Sequence, residues 1–179
     1  MNIEAKADSI FYKRQSPRNF TDQEVSKMVL MTLFEAARWA PSSFNEQPWR
    51  FIIGKKNDET TGEIYDKLFS CLNEFNQEWA SDAPVLILTL TKTKFSKTGE
   101  INEHALHDLG LAMGNLINQA TMMGLVVHQM GGFSNDKAKE VFKIDEGLDS
   151  VAIAAIGYPS DYKTDRERKD LEELFLNEI

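Results

Sequence analysis

Cysteine is almost absent from the sequence, which contains only Cys71 among its 179 residues. A single cysteine cannot form an intramolecular disulfide, so we expect a protein of a reducing compartment. The segment from Phe69 to Glu74 offers no base that would turn this thiol into a thiolate. A small buried hydrophobic residue is therefore the better interpretation of Cys71 than a catalytic nucleophile.

Long apolar runs are also missing, and no stretch approaches the length needed to span a membrane. The amino-terminal segment, Met1 to Lys6, carries Glu4 and lacks the apolar centre of a signal peptide. We therefore predict a cytoplasmic protein that has no membrane partner.

Histidine is scarce as well, with three residues in the chain. His104 and His107 are three positions apart beside Asp108, a spacing that can hold zinc on one helix face. The one remaining histidine, His128, completes no metal motif. We therefore expect no metal site, and a solvated helix turn or a pocket-lining histidine instead.

Basic residues are outnumbered, with 20 Lys and Arg against 28 Asp and Glu and a net charge of -8. An acidic surface repels the phosphate backbone, so nucleic acid is not an expected partner. The length and the 42% of hydrophobic residues fit a single globular domain over residues 1–179.

Hydrophobic periodicity predicts alternating helices and strands. A first helix includes Ile3 and Ile10 and ends near Arg14, and a second begins at a Thr21/Glu24 capping box and stops at Pro41. The further predicted segments are a strand at Trp49–Lys55, a helical region at Thr60–Ala80, a strand at Pro84–Lys92, a polar loop at Lys92–Glu100 without a packing pattern, a long helix at Asn102–Met123 capped by Gly124, a strand at Leu125–Met130, a short helix at Asn135–Phe142, a strand at Val151–Gly157 and a weakly helical tail. Strands separated by long helices favour an α+β or α/β sandwich. Gly110 and Gly114 on the long helix would permit the close approach of another backbone.

Two polar segments could carry chemistry. The run Arg14-Gln15-Ser16-Pro17-Arg18 offers two guanidinium groups and a hydroxyl, which are suited to a phosphate; the alternative is a solvated turn. The run from Pro41 to Trp49 places serines and amides between prolines. Neutral donors and acceptors on a rigid backbone suit a planar heterocycle, although a helix-ending turn before a strand remains an alternative.

These two segments resemble the opening of the FMN-dependent nitroreductase family. The Pro41-Ser42-Ser43-Phe44-Asn45-Glu46-Gln47-Pro48-Trp49 string is the most specific part of the resemblance. Further segments agree in the same order along the chain: Asp108-Leu109-Gly110-Leu111-Ala112, Gly124-Leu125, Gly131-Gly132-Phe133, Ile156-Gly157-Tyr158-Pro159 and Arg166-Glu167-Arg168.

The resemblance implies an α+β sandwich with a mostly antiparallel central sheet flanked by helices. It also implies an intertwined homodimer with FMN at the subunit interface. By this resemblance the FMN-binding residues would be Arg14, Ser16, Arg166 and Arg168 at the phosphate, Arg18 at the pyrimidine edge near N1 and O2, Pro41, Ser42, Ser43, Asn45 and Gln47 along the ring and ribityl chain, and Gly131 and Gly132 along the flavin near N5. Asn45 would reach its flavin from the other subunit.

The activity implied by the resemblance is electron transfer from NADH or NADPH to a nitroaromatic, a quinone or a similar electron-poor acceptor. FMN N5 would carry the chemistry in a ping-pong sequence, without a catalytic side chain. Alternatives are a flavin carrier or redox sensor without turnover, and a different reaction on the same fold, such as dehalogenation, flavin fragmentation or oxidation of a bound substrate. No flavin contact is mapped between Gly54 and Pro84, a compact region that would shape the substrate pocket.

Overall fold

A four-stranded antiparallel sheet forms the centre of the protein in a computed structural model, which describes residues 6–162 and 166–177. The strands are β1 (Trp49–Lys55), β2 (Val85–Lys92), β3 (Val126–Met130) and β4 (Leu148–Gly157). Their order across the sheet is β1-β2-β4-β3, so β2 and β4 are central whereas β1 and β3 are the two edges.

Six α-helices accompany the sheet in the described part of the chain. They are α1 (Ser9–Lys13), α2 (Lys27–Arg38), α3 (Gly62–Cys71), α4 (Glu74–Ala80), α5 (Ala105–Met122) and α6 (Asn135–Phe142). Two short 3₁₀ turns, Ser43–Asn45 and Leu171–Leu174, complete the described elements. No helix within residues 6–162 and 166–177 is both long and apolar enough to cross a membrane.

Side chains alternate between two core clusters along the central strands. In β2, Val85 and Ile87 pack with residues of α2 and α5, whereas Leu86 and Leu88 pack with residues of α3 and α6 on the other face. Successive strand residues point to opposite faces, so both faces of the sheet are covered by helices. The predicted α+β sandwich is confirmed.

The start of α2 differs from the prediction. Ser26, rather than Thr21, is the N-cap, and its side chain accepts a hydrogen bond from the Val29 N–H. Thr21 instead donates its backbone N–H to the Tyr158 carbonyl at 2.8 Å, and Glu24 pairs with Lys55 at 3.0 Å. Contacts with the end of β4 and with β1 therefore keep the proposed capping box out of the helix.

The helical region predicted between Thr60 and Ala80 is interrupted, so that it forms α3 and α4. Leu72 makes an isolated β-bridge with Phe133, and the Asn73 side chain caps α4 by accepting from the Asn76 N–H. The first helix is also shorter than expected, starting after the N-cap Asp8. Ile3, part of that prediction, lies outside the described residues.

The long helix α5 and its end at Gly124 are confirmed, since Gly124 has the left-handed φ of 78° that follows a helix. A Cβ added at Gly110 or Gly114 would meet nothing within 4 Å among the described residues of this chain. Leu106 and Leu111 on the same helix are exposed. The close approach predicted at these glycines is therefore not made by another element of the same chain.

Candidate functional site

The two ends of the chain meet at a cluster of arginines. The Arg166 guanidinium donates to the backbone carbonyls of Arg14 and Tyr12, and Arg14 Nη1 donates to Ser16 Oγ at 3.0 Å. Arg168 lies two positions further along the tail, and its Nη1 donates to the Glu167 carbonyl at 2.7 Å. The structure thus brings together the four residues that the resemblance assigns to a phosphate.

Like charge accumulates in this arginine cluster. Burial lowers the pKa of the Arg14 guanidinium, and the positive charges of Arg166 and Arg168 lower it further. None of the ion pairs formed within the described residues includes these three arginines. Clustered guanidinium groups that pair with no carboxylate among the described residues, together with a hydroxyl donor, suit a phosphate dianion.

Arg18, four residues after Arg14, turns toward α4. Its guanidinium carbon lies 4.7 Å from the Phe75 ring centroid and 5.8 Å from that of Trp79. Both distances are within the range of a cation–π contact. These contacts hold Arg18 beside α4.

His128 on β3 holds the loop that carries Arg18. Its Nδ1 lies 3.0 Å from the Pro17 carbonyl. Burial is the main cause that lowers the pKa of His128, and the charge of Arg18 lowers it further. Since a carbonyl can only accept, the neutral ring must carry its proton on Nδ1. A cleft of about 380 Å³ opens here, and its lining residues are Ser16, Pro17, Arg18, Asn19, His128 and Asp161.

Gly131 and Gly132 follow β3, and Gly132 lies against α4. The Gly132 carbonyl accepts from the Asn73 backbone N–H and from Asn76 Nδ2, each at 3.0 Å. A Cβ at Gly132 would come within 2.8 Å of the side-chain nitrogens of both asparagines, whereas one at Gly131 would meet nothing within 4 Å. The close approach at Gly132 is therefore made to α4 of this chain. Asn73 and Asn76 bring α4 into the site, and they fall in the region where the sequence mapped no site residue.

The turn between α2 and β1 is held by its own polar groups. Ser42 Oγ accepts from the Gln47 N–H at 3.0 Å, and Gln47 Nε2 donates to the Asn45 carbonyl at 3.2 Å. Phe44, Asn45 and Gln47 have positive φ values of 52°, 56° and 50°. Such values are unusual for residues other than glycine, particularly for a bulky side chain, and they concentrate at functional sites.

The candidate residues form two groups at opposite edges of the sheet. We call Arg14, Ser16, Arg18, Gly131, Gly132, Arg166 and Arg168 the β3 half-site, and Pro41, Ser42, Ser43, Asn45 and Gln47 the β1 half-site. The turn of the β1 half-site leads into β1, whereas the glycines of the β3 half-site follow β3. These edge strands are three inter-strand steps apart, or about 14 Å. Within one chain the two half-sites therefore adjoin opposite edge strands of the sheet.

No metal-binding group of three His, Cys, Asp or Glu side chains lies within residues 6–162 and 166–177. His107 is exposed, and its Nδ1 lies 3.3 Å from an Asp108 carboxylate oxygen. His104 takes the N-cap position of α5 without a side-chain capping bond.

Comparison with known proteins identifies the family. The sequence profile of the nitroreductase family matches residues 12–158. The chain belongs to the nitroreductase family.

Solved structures of this nitroreductase-family fold overlap most of the chain. An oxidoreductase containing FMN shares 34% sequence identity with a TM-score of 0.81, covering 88% of this chain and 79% of the other. A provisionally named nitroreductase from Desulfovibrio desulfuricans, solved in complex with FMN, shares 27% identity with a TM-score of 0.79, covering 96% and 95%. Among sequence relatives, a Ralstonia nicotianae protein provisionally named an NADH dehydrogenase/NAD(P)H nitroreductase is 26% identical and covers 84% of each chain.

In this nitroreductase-family chain, α5 anchors the β1 half-site through Asp108. The carboxyl group is buried, and its Oδ2 accepts from the Ser43 backbone N–H at 2.9 Å. Asp108 belongs to one of the family-like segments and follows His107, but the anchoring bond was not predicted from the sequence. A usable signal was present, because Asp108 shares the inward face of α5 with Ala105 and Ala112. A carboxylate on such a face needs a polar partner.

We predict that Asp108→Ala destabilises the protein, because it removes the acceptor of the Ser43 N–H. The expected loss in free energy of unfolding is about 1–3 kcal/mol. Asp108→Asn keeps a carbonyl oxygen in place and should lose less. Urea unfolding of both variants measures the difference, and equal losses would show that the hydrogen bond to Ser43 does not carry the effect.

Proposed function

We propose that the protein is an FMN-dependent oxidoreductase that transfers electrons from NADH or NADPH to nitroaromatics, quinones or similar electron-poor acceptors. The observation that carries the proposal is the arginine cluster of the β3 half-site, in which no ion pair with a carboxylate forms among the described residues. The comparisons support the proposal, because two similar structures contain FMN and the name of one relative includes NAD(P)H.

The donor set fits the phosphate of FMN. A phosphate monoester carries close to two negative charges at neutral pH. Arg14, Arg166 and Arg168 supply three positive charges, and the Ser16 hydroxyl lies next to Arg14. The repulsion among these arginines falls when an anion binds between them. Cofactor binding should therefore stabilise the fold as well as the site.

Arg18 and the two glycines would hold the flavin ring. We assign Arg18 to the pyrimidine edge near N1 and O2, where a cation stabilises the negative charge of a reduced flavin. Its contacts with Phe75 and Trp79 place it at α4, against which Gly132 also packs. Gly131 and Gly132 would run along the flavin, with one backbone amide at N5.

The β1 half-site would come from a second copy of the chain. The separation of the half-sites by the width of the sheet supports a homodimer in which Asn45 reaches the partner's flavin. The exposed Leu106 and Leu111 of α5, with the open space over Gly110, offer an apolar surface to that partner. The exposed tail leucines Leu171, Leu174 and Leu176 offer another.

The chain's own residues would bind and orient FMN and neutralise its negative charge, and we assign no catalytic side chain. Bound FMN would supply the redox chemistry, which is hydride and electron transfer between the nicotinamide and the acceptor. Because both substrates would use one open flavin face, the oxidised nicotinamide must leave before the acceptor binds. Since the single cysteine, Cys71, cannot form an intramolecular disulfide, we propose the reducing cytoplasm as the location.

We predict that the purified protein carries FMN, which the mass of the released cofactor identifies.

We predict that Arg168→Ala weakens the binding of FMN about tenfold to a hundredfold. Loss of one charge-assisted hydrogen bond of about 1.5–3 kcal/mol gives this range. Lys169→Ala is the matched control, because it removes a neighbouring exposed cation of the same tail. Equal effects of the two substitutions on the dissociation constant of FMN would contradict a specific phosphate contact.

We also predict a ping-pong order. Initial rates with NADH or NADPH at several fixed concentrations of a quinone should give parallel double-reciprocal lines, because the two substrates would occupy one face in turn. Intersecting lines would indicate a ternary complex. A flavin spectrum that stays oxidised under anaerobic NADH and NADPH would instead favour a carrier, a sensor or a different donor.

A further inference from the structure

Phe44 occupies an unusual position in the β1 half-site. Its side chain is 92% exposed, and its backbone lies in the left-handed region. A bulky residue gains nothing from burial at such a position, and its backbone conformation is unfavourable. Phe44 also lies between Ser43 and Asn45, two residues that we assign to the flavin ring. A strained, exposed aromatic residue at this position points to a role in ligand binding.

Phe95 comes from a different loop to meet Phe44. The two ring centroids are 5.7 Å apart, and the ring planes are inclined at 89°, an edge-to-face pair. The loop is closed on itself, because the Phe95 N–H donates to the Glu100 carbonyl and the Gly99 N–H donates to the Phe95 carbonyl, both at 2.9 Å. The polar segment Lys92–Glu100, for which the sequence predicts no packing pattern, therefore presents a positioned aromatic ring.

A polar clamp holds the two loops together. The Glu46 carboxylate accepts hydrogen bonds from the backbone N–H and the hydroxyl of Ser96, and Lys92 Nζ lies 3.6 Å from it. Only 10% of the Glu46 side chain is exposed. The hydroxyl of Ser96 is the main cause that lowers the pKa of Glu46, so the clamp stays ionised at neutral pH. The loops that carry Phe44 and Phe95 are thus joined by hydrogen bonds next to both rings.

We propose that Phe44 and Phe95 form an aromatic platform beside the flavin face, which binds flat, electron-poor aromatic acceptors and favours them over non-aromatic ones. The inference rests on the proposed function, because it needs an acceptor at the flavin. The negative face of a phenyl ring attracts the electron-poor ring of a nitroaromatic compound. An acceptor without an aromatic ring gains none of this attraction.

Binding to the oxidised protein tests the platform without any electron donor. The FMN-loaded wild type and the variants Phe44→Leu, Phe95→Leu and the double variant are titrated with 4-nitrobenzoate, and the flavin absorption is followed. Leucine keeps an apolar side chain but removes the ring. Each single substitution should raise the dissociation constant about threefold to tenfold, from the strength of one aromatic pair. In the double variant the dissociation constant should rise by less than the product of the two single increases, since the two rings act together.

Trp39→Leu is the matched control, because Trp39 is an exposed aromatic residue at the end of α2 and makes no ring contact with Phe44 or Phe95 among the described residues. It should leave the dissociation constant of 4-nitrobenzoate unchanged. The ratio of the turnover rate with 4-nitrobenzoate to that with ferricyanide gives a second measure. This ratio should fall in Phe44→Leu and in Phe95→Leu but not in Trp39→Leu.

An unchanged dissociation constant in Phe44→Leu and Phe95→Leu would overturn the platform, as would an equal rise in Trp39→Leu. A shift of either phenylalanine variant from dimer to monomer by light scattering would also overturn it, since the rings would then serve subunit contact. A flavin that neither nicotinamide reduces would contradict the proposed function separately, because the titration uses no donor.

Discussion

The positive charge that Arg166 and Arg168 bring close to the partly buried Arg14 is the constraint on which the proposed site depends. These side chains come from the two ends of the chain, and the hydrogen bonds from Arg166 to the backbone of Tyr12 and Arg14 hold the tail against α1. Like charges in a partly buried position oppose folding unless an anion offsets them. Binding of a phosphate should therefore strengthen the docking of the tail and the order of the Arg14–Arg18 loop. Conversely, a docked tail and an ordered loop should raise the affinity for the phosphate.

The sheet then determines how the rest of the site can be assembled. Both edges carry candidate site residues, and β2 and β4 lie between them, which favours the proposal that two chains contribute to each flavin site. The β1 half-site is anchored to α5 through Asp108, whereas the β3 half-site packs on α4 through Asn73 and Asn76. A site completed by a second copy of the chain satisfies this geometry, and it leaves the exposed glycine face of α5 available for the subunit contact.

Local patterns predicted those elements whose stability comes from their own sequence. The helix α5 has a continuous apolar face and ends at a glycine, and β2 has an apolar run bounded by Pro84, so both were predicted closely. The candidate site residues were predicted from the resemblance to the family, and Arg14, Arg166 and Arg168 among them do come together. Prediction failed where tertiary contacts decide the outcome. The bond from Thr21 to Tyr158 moved the start of α2 to Ser26, and the bridge from Leu72 to Phe133 divided the helical region before α4.

The central claim is that each flavin site is built from two chains, and mixed dimers test it most directly. One chain carries Arg14→Ala and Arg168→Ala in the β3 half-site, and the other carries Asn45→Gly in the β1 half-site, where glycine tolerates the positive φ. Each variant alone should bind FMN weakly at both sites of its homodimer. Differently tagged chains, refolded together and purified as the heterodimer, should recover one tight FMN site, because the intact β3 half-site of the second chain meets the intact β1 half-site of the first. A heterodimer without any tight FMN site would contradict the claim and place the whole site within one chain.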